Sequence, residues 1–363
     1  MLFDSSLRAD LARSFGATLV VILTIVLTMF LIRTLGQAAV GRVSPQDVVL
    51  LLGYTALGHL PTMLALSLFV SVVATLGRMY RDSEMTIWFA SGVGLSRFVR
   101  PVLRTSWPVL LVIGALALFV WPWVNQRAND LKDRFERRSD LSRVAPGQFQ
   151  TSSDGKRVFF IDRDSEDGRT GRNVFILSTA PNAESVTSAK TGRIELDGED
   201  RFLVLDRGQR NEENRESGEM TLSRFESYRI LVGERVLSRV DELPPRATPS
   251  VDLLRKPTPR NLGELTWRLG LLLGAANLLL LAIPLSAANP RRASNWNLLF
   301  ALLTFVVYYN AINLSQAWVA AGRLDMGAAL ALFHGGAFLL AVALLWWREQ
   351  GNRRFFMRRT AAA

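Results

Sequence analysis

Hydrophobic and polar residues occupy long, separate blocks of this chain. Six apolar stretches are each long enough to cross about 30 Å of hydrocarbon as a helix, which takes about 20 residues. The pattern therefore predicts six membrane-spanning helices, numbered here as spans one to six. They cover approximately residues 15–35, 48–76, 98–123, 267–287, 297–318 and 326–347.

A polar insert, residues 124–266, separates spans three and four. After a charged, helical start, its short runs of β-branched and aromatic residues alternate with Asp, Gly and Asn turn signals. This spacing predicts an all-β sandwich or jelly roll, followed by a stiff, proline-rich connector at 244–259. The fold class is therefore an α+β membrane protein with an inserted β-jelly-roll domain between two sets of three helices. The predicted domains are 1–123, 124–260 and 261–363.

Several predicted strands are apolar on both faces, where a sheet with one buried face would alternate. One interpretation is that both faces are buried within the sandwich or against a neighbouring domain. The other is that the domain has an apolar interior that accommodates a lipid. The sequence pattern leaves these two alternatives open.

The net charge of +11 arises outside the polar insert, which holds 25 basic and 25 acidic residues. The excess basic residues flank apolar runs, so membrane topology explains them better than nucleic-acid binding, which is largely excluded. Fourteen arginines lie on one side of the predicted spans, whereas only Arg42 and Arg323 lie on the other. The positive-inside rule predicts cytoplasmic termini and an insert on the opposite side.

The residues needed for common catalytic sites are scarce. The chain has no Cys and only two His, His59 and His334, which are far apart in apolar runs. A thiolate or histidine metal site and a Ser-His-Asp triad are therefore not expected. The chain also has no P-loop sequence, so ATP would have to be used by a partner. The two His are expected to be hydrogen-bonded packing residues. The polar residues within spans four and five are expected to join helices together rather than line a path; they are Asn277, Asn310, Asn313 and Gln316.

A short apolar segment, residues 81–94, lies between spans two and three on the arginine-rich side. Asp82 or Ser83 can cap a short helix, and Glu84 falls in its favourable first turn. Its apolar residues, which include Met85, Trp88 and Phe89, are more numerous than an exposed loop needs. The segment is predicted either to dock a partner or to lie in the lipid headgroup layer.

Arg33 is the only charged residue within or next to span one. A charge inside a membrane usually has a function, but Arg33 comes near the end of the span, where its side chain could reach the interface. The sequence alone does not choose between these two roles.

Several motifs resemble those of the lipopolysaccharide export permeases, the LptF/LptG family. Around span two these are Leu66-Ser67-Leu68-Phe69, Thr75-Leu76-Gly77-Arg78-Met79-Tyr80, Ser83-Glu84-Met85-Thr86 and Ala90-Ser91-Gly92-Val93. The resemblance to the LptF branch rests on Pro146-Gly147-Gln148-Phe149, Ile283-Pro284-Leu285-Ser286 and Asn289-Pro290-Arg291. The resemblance covers nearly the whole chain.

The resemblance implies a permease that forms a heterodimer with an LptG-type subunit and is served by an LptB-type ATPase dimer. An LptC-type single-span subunit and an LptA-type periplasmic bridge would complete the route of lipopolysaccharide. No cofactor would bind this chain, and the ATPase would use ATP and Mg²⁺. The implied lipid-binding and gate residues are Arg33, Thr28, Phe30, Asn310 and Asn313, the implied ATPase-coupling residues are Asp82, Ser83, Glu84, Met85, Trp88 and Phe89, and the implied lipid path in the β domain includes Phe149, Phe160 and Phe175.

Three alternatives stay open at this point. The chain could be the LptG-type subunit of the same exporter. It could be a membrane-anchored scaffold or sensor, which would need neither Glu84 nor Arg33. An integral-membrane enzyme of lipid or cell-wall metabolism is a third possibility, but it would need a convergent set of acid and base residues that the sequence does not display.

Overall fold

The computed structural model describes most of the chain, and the structural statements below concern those residues. They are 2–39, 43, 45–136, 149–151, 157–160, 162, 170–180, 182–197, 200–215, 218–233, 243–287 and 296–360. Two sequence motifs discussed above lie wholly or partly outside them. These are Pro146 to Gln148 at the start of the β domain and Asn289 to Arg291 after span four.

Ten α-helices and six β-strands are formed by the described residues. The helices before the strands are α1 (Leu2–Ala39), α2 (Val48–Arg81), α3 (Glu84–Ala90), α4 (Val99–Ala115) and α5 (Trp121–Glu136). Those after the strands are α6 (Ser250–Arg255), α7 (Pro259–Leu285), α8 (Trp296–Ala320), α9 (Met326–Leu330) and α10 (Gly336–Thr360). Single π-helical segments, Leu116–Val120 and Ala331–Gly335, join α4 to α5 and α9 to α10.

Six helical stretches of the described residues are long and apolar enough to cross a membrane, as the sequence predicted. Three precede the strands in sequence and three follow them. They are Ser5–Ala39, Val48–Arg81, Leu95–Leu131, Pro259–Leu285, Leu298–Ala320 and Met326–Gln350.

Helices α2 and α7 form the centre of the helical unit. Phe69 and Leu76 of α2 and Ile283 of α7 are fully buried. In contrast, α1, α8 and α10 expose many large apolar side chains, among them Val21, Leu299 and Leu339. Such surfaces are suited to lipid or to further membrane helices. These exposed sides are therefore available for contacts beyond the chain, as is the side of α4 that carries Trp107 and Leu111.

Helix α7 begins with a different cap from the one that its sequence suggests. Asn261 and Glu264 have the spacing of a capping box. In the structure, however, the hydroxyl of Thr258 accepts the backbone N–H of Asn261, and Pro259 occupies the first turn. Pro at this position is favourable because its missing N–H would have no partner there. Glu264 is thereby left for the buried contacts described below.

The strands form one antiparallel sheet whose order follows the sequence, from β1 to β6. Their bounds are Gln150–Thr151, Arg157–Phe160, Thr170–Thr179, Ala183–Asp197, Asp200–Asn214 and Met220–Gly233. The connections from β3 to β6 are short, so each strand pairs with the one before it. A jelly roll needs longer crossing connections between its two sheets. The inserted β domain is confirmed, whereas the described strands do not confirm a sandwich or jelly roll.

The β domain has its own small hydrophobic core. Phe159, Val174, Ile176, Leu203 and Leu205 form a buried cluster on the sheet. Val174 and Ile176 point to one face of β3, and Phe175, which lies between them, points to the opposite face. Phe175 and Phe160 are only partly buried. The apolar character of both faces therefore has two different causes, a buried core on one face and a partly open aromatic surface on the other.

The chain divides into two compact units. One comprises residues 1–39, 45–129 and 243–363, and the other comprises 40–44 and 130–242. The proline-rich connector, which was predicted to belong to the β domain, packs within the helical unit from Leu243 onward. Buried Arg268 of α7 binds the connector backbone, and this contact explains the difference.

Candidate functional site

The short helix α3 is attached to the helical core by its apolar side chains. Met85 is almost fully buried, and Trp88 and Phe89 pack against the same core. The ring of Phe89 lies 6.2 Å from that of Tyr80 in α2. Met85, which was predicted among the docking residues, therefore faces inward and holds α3 in place.

The ends of α3 are formed by two residues in left-handed backbone conformation. Ser83 precedes the helix with a φ of 61°, and its side chain makes no capping hydrogen bond, contrary to expectation. Gly92 follows the helix with a φ of 83°, a conformation that Gly adopts without steric cost. The N–H groups of Gly92 and Val93 donate to the carbonyls of Phe89 and Trp88, which is the pattern of a Schellman cap.

The outer side of α3 combines an exposed apolar residue with polar neighbours. Ile87 is 69% exposed, although most Ile residues of soluble proteins are buried. Asp82 and Ser83 are also exposed, and Glu84 is half-buried at the first turn. This side of α3 has the composition of a small docking surface, and the docking role itself stays a prediction.

The predicted gate residues of α1 do not share one face. Phe30 is buried, and its ring lies 4.7 Å from that of His59 in α2. Thr28 donates its hydroxyl to the carbonyl of Thr24 in its own helix. At about 100° per residue, Thr28 and Arg33 point about 140° apart. Phe30 is thus a packing residue, whereas Thr28 and Arg33 lie on exposed sides of α1.

Arg33 is exposed and has neither an ion-pair nor a hydrogen-bond partner among the described residues. Two other arginines of this unit, Arg13 and Arg78, both bind Asp10, at 2.5 Å and 2.9 Å. Arg33 therefore presents a charge next to apolar surface that is free to bind an anionic group.

The two asparagines predicted in the span-five gate have different surroundings. Asn310 is exposed and donates to the carbonyl of Val306 in its own helix, α8. The side-chain oxygen of Asn313 accepts a hydrogen bond of 3.1 Å from the indole of Trp267 in α7. Asn313 consequently joins α7 to α8, which leaves Asn310 as the better candidate for contact with a ligand or partner.

The three aromatic residues predicted in the β domain are brought together. Phe160 and Phe175 are paired across β2 and β3, and the ring of Phe149 lies 4.8 Å from that of Phe160. They line one end of a groove of about 880 Å³ within the β domain. A groove of this size holds several acyl-chain segments or one ligand of drug size. The groove also contains basic side chains that the sequence did not single out, namely Lys190, Arg207 and Arg224.

A buried ion pair at the start of α7 was also missed from the sequence. The carboxylate of Glu264 accepts three hydrogen bonds. They come from Arg268 Nε at 3.1 Å, from the indole of Trp121 at 2.8 Å and from the amide of Gln316 at 3.2 Å. These contacts join α5, α7 and α8. The Glu264 and Arg268 spacing of four residues, inside an apolar helix, is the sequence signal that could have identified the pair.

Arg268 also binds the proline-rich connector. Its guanidinium donates to the backbone carbonyls of Pro245 and Thr248 and to the hydroxyl of Ser250. Ser250 in turn donates 2.6 Å to the carbonyl of Leu118, which lies in the π-helical segment of span three. Each charge is hydrogen-bonded in a buried position, so this cluster fixes the connector to spans three and four.

A second buried cluster joins three membrane helices, as predicted for Asn277 and His334 but not for Tyr308. The amide of Asn277 in α7 donates to Tyr308 Oη of α8 and to the carbonyl of His334, at 2.9 Å each. Tyr308 Oη is also 2.8 Å from His334 Nδ1. His334 thus acts as a packing residue, and the other histidine, His59, bonds the carbonyl of Thr55 through Nδ1.

Comparison with known proteins identifies relatives over nearly the whole chain. Residues 7–348 match the family model described as lipopolysaccharide export system permease LptF/LptG. The lipopolysaccharide export system permease protein LptF of Escherichia coli strain K12 is 27% identical over 316 residues, which cover 85% of this chain and 85% of the relative. The protein of the same name from Shigella flexneri matches equally well.

Proposed function

The chain belongs to the lipopolysaccharide export system permease LptF/LptG family, and from this premise we propose that it is the LptF-type half of an ATP-driven exporter. Membership makes it a multi-pass inner-membrane permease subunit of lipopolysaccharide transport, and a non-catalytic part of a complex with other subunits. The match of residues 7–348 to the family model is the observation that carries this proposal.

The assignment to the LptF-type half is supported by the curated relatives, which carry that name and are covered over 85% of their length. The partner in the membrane would then be an LptG-type permease. The exposed apolar sides of α1, α8 and α10 offer surface for such a partner and for lipid. The LptG-type assignment is the second candidate, because both halves would perform the same step.

In the proposed transport step, the complex extracts lipopolysaccharide from the outer leaflet of the inner membrane and passes it through the β domain to an LptA-type bridge. Exposing each acyl methylene to water costs about 0.8 kcal/mol, so a lipid with several chains needs a shielded route. The aromatic end of the β-domain groove, with Phe149, Phe160 and Phe175, supports such a route. Arg33 is proposed to meet lipid phosphates where the lipid enters, and the exposed Asn310 of α8 is proposed as a further contact.

Energy is proposed to come from an LptB-type ATPase dimer that binds the outer side of α3, while an LptC-type single-span subunit joins in the membrane. The exposed Ile87 and its polar neighbours support docking at this place. The burial of Met85 supports the transmission of movement from the ATPase to the membrane helices, because a displacement of α3 would also displace the helical core. ATP and Mg²⁺ would be used by the ATPase.

The proposed orientation has both termini and α3 in the cytoplasm and the β domain in the periplasm. It is supported by the concentration of arginines in the loops that flank the spans on one side. Labelling of single introduced cysteines is a direct test, because the chain has no native Cys. A cysteine at Asp82 should react only after the membrane is permeabilised, and one at Arg215 should react in intact spheroplasts.

The function is tested by purifying the protein from its native membrane and assaying co-purified ATPase activity and lipopolysaccharide. Glu84→Ala should reduce or uncouple the ATPase activity, and Arg33→Gln should reduce bound lipid. Arg323→Gln is the matched control, because Arg323 is also an exposed arginine next to a span. If wild type co-purifies with neither, the scaffold or sensor function becomes the better explanation.

A further inference from the structure

The groove of the β domain changes from aromatic to basic along a single row of paired residues. The register places Phe160 of β2 opposite Phe175 of β3, and Phe175 opposite Ser188 of β4. The row continues through Gln209 of β5 to Arg224 of β6. All five residues line the groove. One end of the groove therefore favours apolar groups, and the other end favours anions.

A second row next to it contains two more cations. Between the paired rows that contain Val174 and Arg172, one residue of each strand has no partner in the register of the described ladder. These four residues, which also line the groove, are Asn173, Lys190, Arg207 and Glu226. The φ angles of Asn173 and Arg207 are 49° and 51°, in the left-handed region, which Asn tolerates but which is costly for Arg. Such strained backbone is often found at functional positions.

The cations of the groove differ from those elsewhere on the sheet. Lys190, Arg207 and Arg224 are exposed and form no ion pair with any described residue. By contrast, Arg193 binds Glu195 and Arg215 binds Glu184, at 2.9 Å and 2.8 Å. A row of solvated charges is the simpler explanation of any one of these residues. Their convergence on one groove, next to an aromatic end, favours a binding site.

We propose that Lys190, Arg207 and Arg224 form a subsite for the phosphate of a phosphorylated amphiphile whose acyl chain lies on Phe149, Phe160 and Phe175. Lys and Arg are the side chains that bind phosphate oxygens through charge-assisted hydrogen bonds. Glu226, at the edge of the same subsite, lowers its net charge and limits its affinity, which suits a lipid that has to move on. This subsite rests on the proposed function, because that function makes the groove a lipid path.

The test is photo-crosslinking in the complete, detergent-solubilised complex, with a benzophenone amino acid in place of Gln209. This position lies between the aromatic and basic ends of the groove. The probes are a phosphorylated, multiply acylated glycolipid and the same lipid after enzymatic dephosphorylation. The test variant is Lys190→Gln with Arg224→Gln. The matched control is Arg215→Gln with Arg229→Gln, which removes the same charge outside the groove.

Crosslinking of the phosphorylated lipid should fall about fivefold in the test variant and stay unchanged in the control, because a charge-assisted contact to phosphate is lost. The dephosphorylated lipid should crosslink equally in all variants. Three results would each overturn the phosphorylated-lipid subsite. They are an equal loss of crosslinking for both lipids in the test variant, an equal loss of crosslinking in the control variant, and complete suppression of crosslinking by inorganic phosphate at constant ionic strength.

Failure of the proposed function gives a different result. In that case neither lipid crosslinks in wild type, and Phe160→Ala changes nothing. If the groove is a lipid path without a phosphate subsite, both lipids crosslink, Phe160→Ala reduces both, and the test variant reduces neither. Thermal unfolding of each variant shows whether the β domain is intact.

Discussion

Glu264 and Arg268 form a fully buried ion pair one turn apart in α7, with 3.1 Å between Glu264 Oε1 and Arg268 Nε. Burial of two charges is costly unless their remaining hydrogen-bonding groups are satisfied. Here Trp121 and Gln316 donate to the carboxylate, and the connector accepts from the guanidinium. The pair therefore depends on the correct positions of helices and connector together.

The first prediction concerns the loss of one member of this pair. Arg268→Met should lower the free energy of unfolding by about 3–5 kcal/mol, because Glu264 would stay buried without its counter-ion. The double variant, Glu264→Gln with Arg268→Met, should lower the free energy of unfolding by less than Arg268→Met alone, since no unpaired charge remains. Thermal unfolding in detergent, followed by circular dichroism, compares the two.

An exposed pair in the same unit supplies the control. Arg78 and Asp10 are 2.9 Å apart, and Arg78 is about half exposed. Arg78→Met should change stability by about 1 kcal/mol or less because water screens this pair. If Arg78→Met and Arg268→Met cost the same, the buried pair has no special role in stability.

Much of the fold could be predicted from the sequence because its signals are local. The length of an apolar run predicts a span, and alternating β-branched residues between turn signals predict strands. The role of His334 as a hydrogen-bonded packing residue also followed, because a membrane offers few other partners to a polar side chain. Strand order was not predictable, since it depends on how neighbouring strands connect and pair.

The details of the candidate sites depend on contacts between distant parts of the chain. The direction of Met85 follows from the packing of α3 against the core, which local spacing does not define. The partners of Arg268 come from a connector 18 to 23 residues away in sequence. The basic row of Lys190 and Arg207 appears only once the register of β4 and β5 is known.

The second prediction concerns the close approach of α7 and α8 at Gly263. A Cβ atom at Gly263 would lie 2.7 Å from the Cβ of Ala320 and 2.9 Å from the carbonyl oxygen of Gln316. Gly263→Ala should therefore force the helices apart and cost about 1–3 kcal/mol. Gly53→Ala in α2 is the control, because nothing lies within 4 Å of its added Cβ. A stable Gly263→Ala protein with unchanged thermal unfolding would contradict this packing.

The third prediction separates packing from docking in α3. Met85→Ala should lower stability by about 2–5 kcal/mol, because it leaves a cavity in the core. Ile87→Ser should leave the thermal unfolding temperature almost unchanged, since Ile87 is 69% exposed. The same Ile87 variant should reduce the amount of ATPase that co-purifies.

The opposite pattern would disprove this division. If Ile87→Ser destabilises the protein, or if it leaves ATPase co-purification at the wild-type level, the exposed side of α3 is not a docking surface. Thr86→Ala is a matched control, because Thr86 is also exposed and its substitution removes little apolar area.

The last prediction concerns the cluster of Asn277, Tyr308 and His334. Asn277 Nδ2 donates both to Tyr308 Oη and to the carbonyl of His334, which belongs to a π-helical segment. Asn277→Leu keeps the branching and the number of heavy atoms of the side chain, although Leu is larger, and it leaves both acceptors without this donor. Because the cluster is buried, the variant should lose about 1–2 kcal/mol of stability and loosen span six from α7.

Limited proteolysis and hydrogen exchange in span six measure this loosening. Tyr308→Phe should have a smaller effect, because the amide of Asn277 keeps the His334 carbonyl as its acceptor. Thr304→Ala is the control, since the Thr304 hydroxyl bonds only the carbonyl of Phe300 in its own helix. If Asn277→Leu protects span six as well as wild type does, apolar packing alone holds α10 to α7, and the hydrogen bonds contribute little.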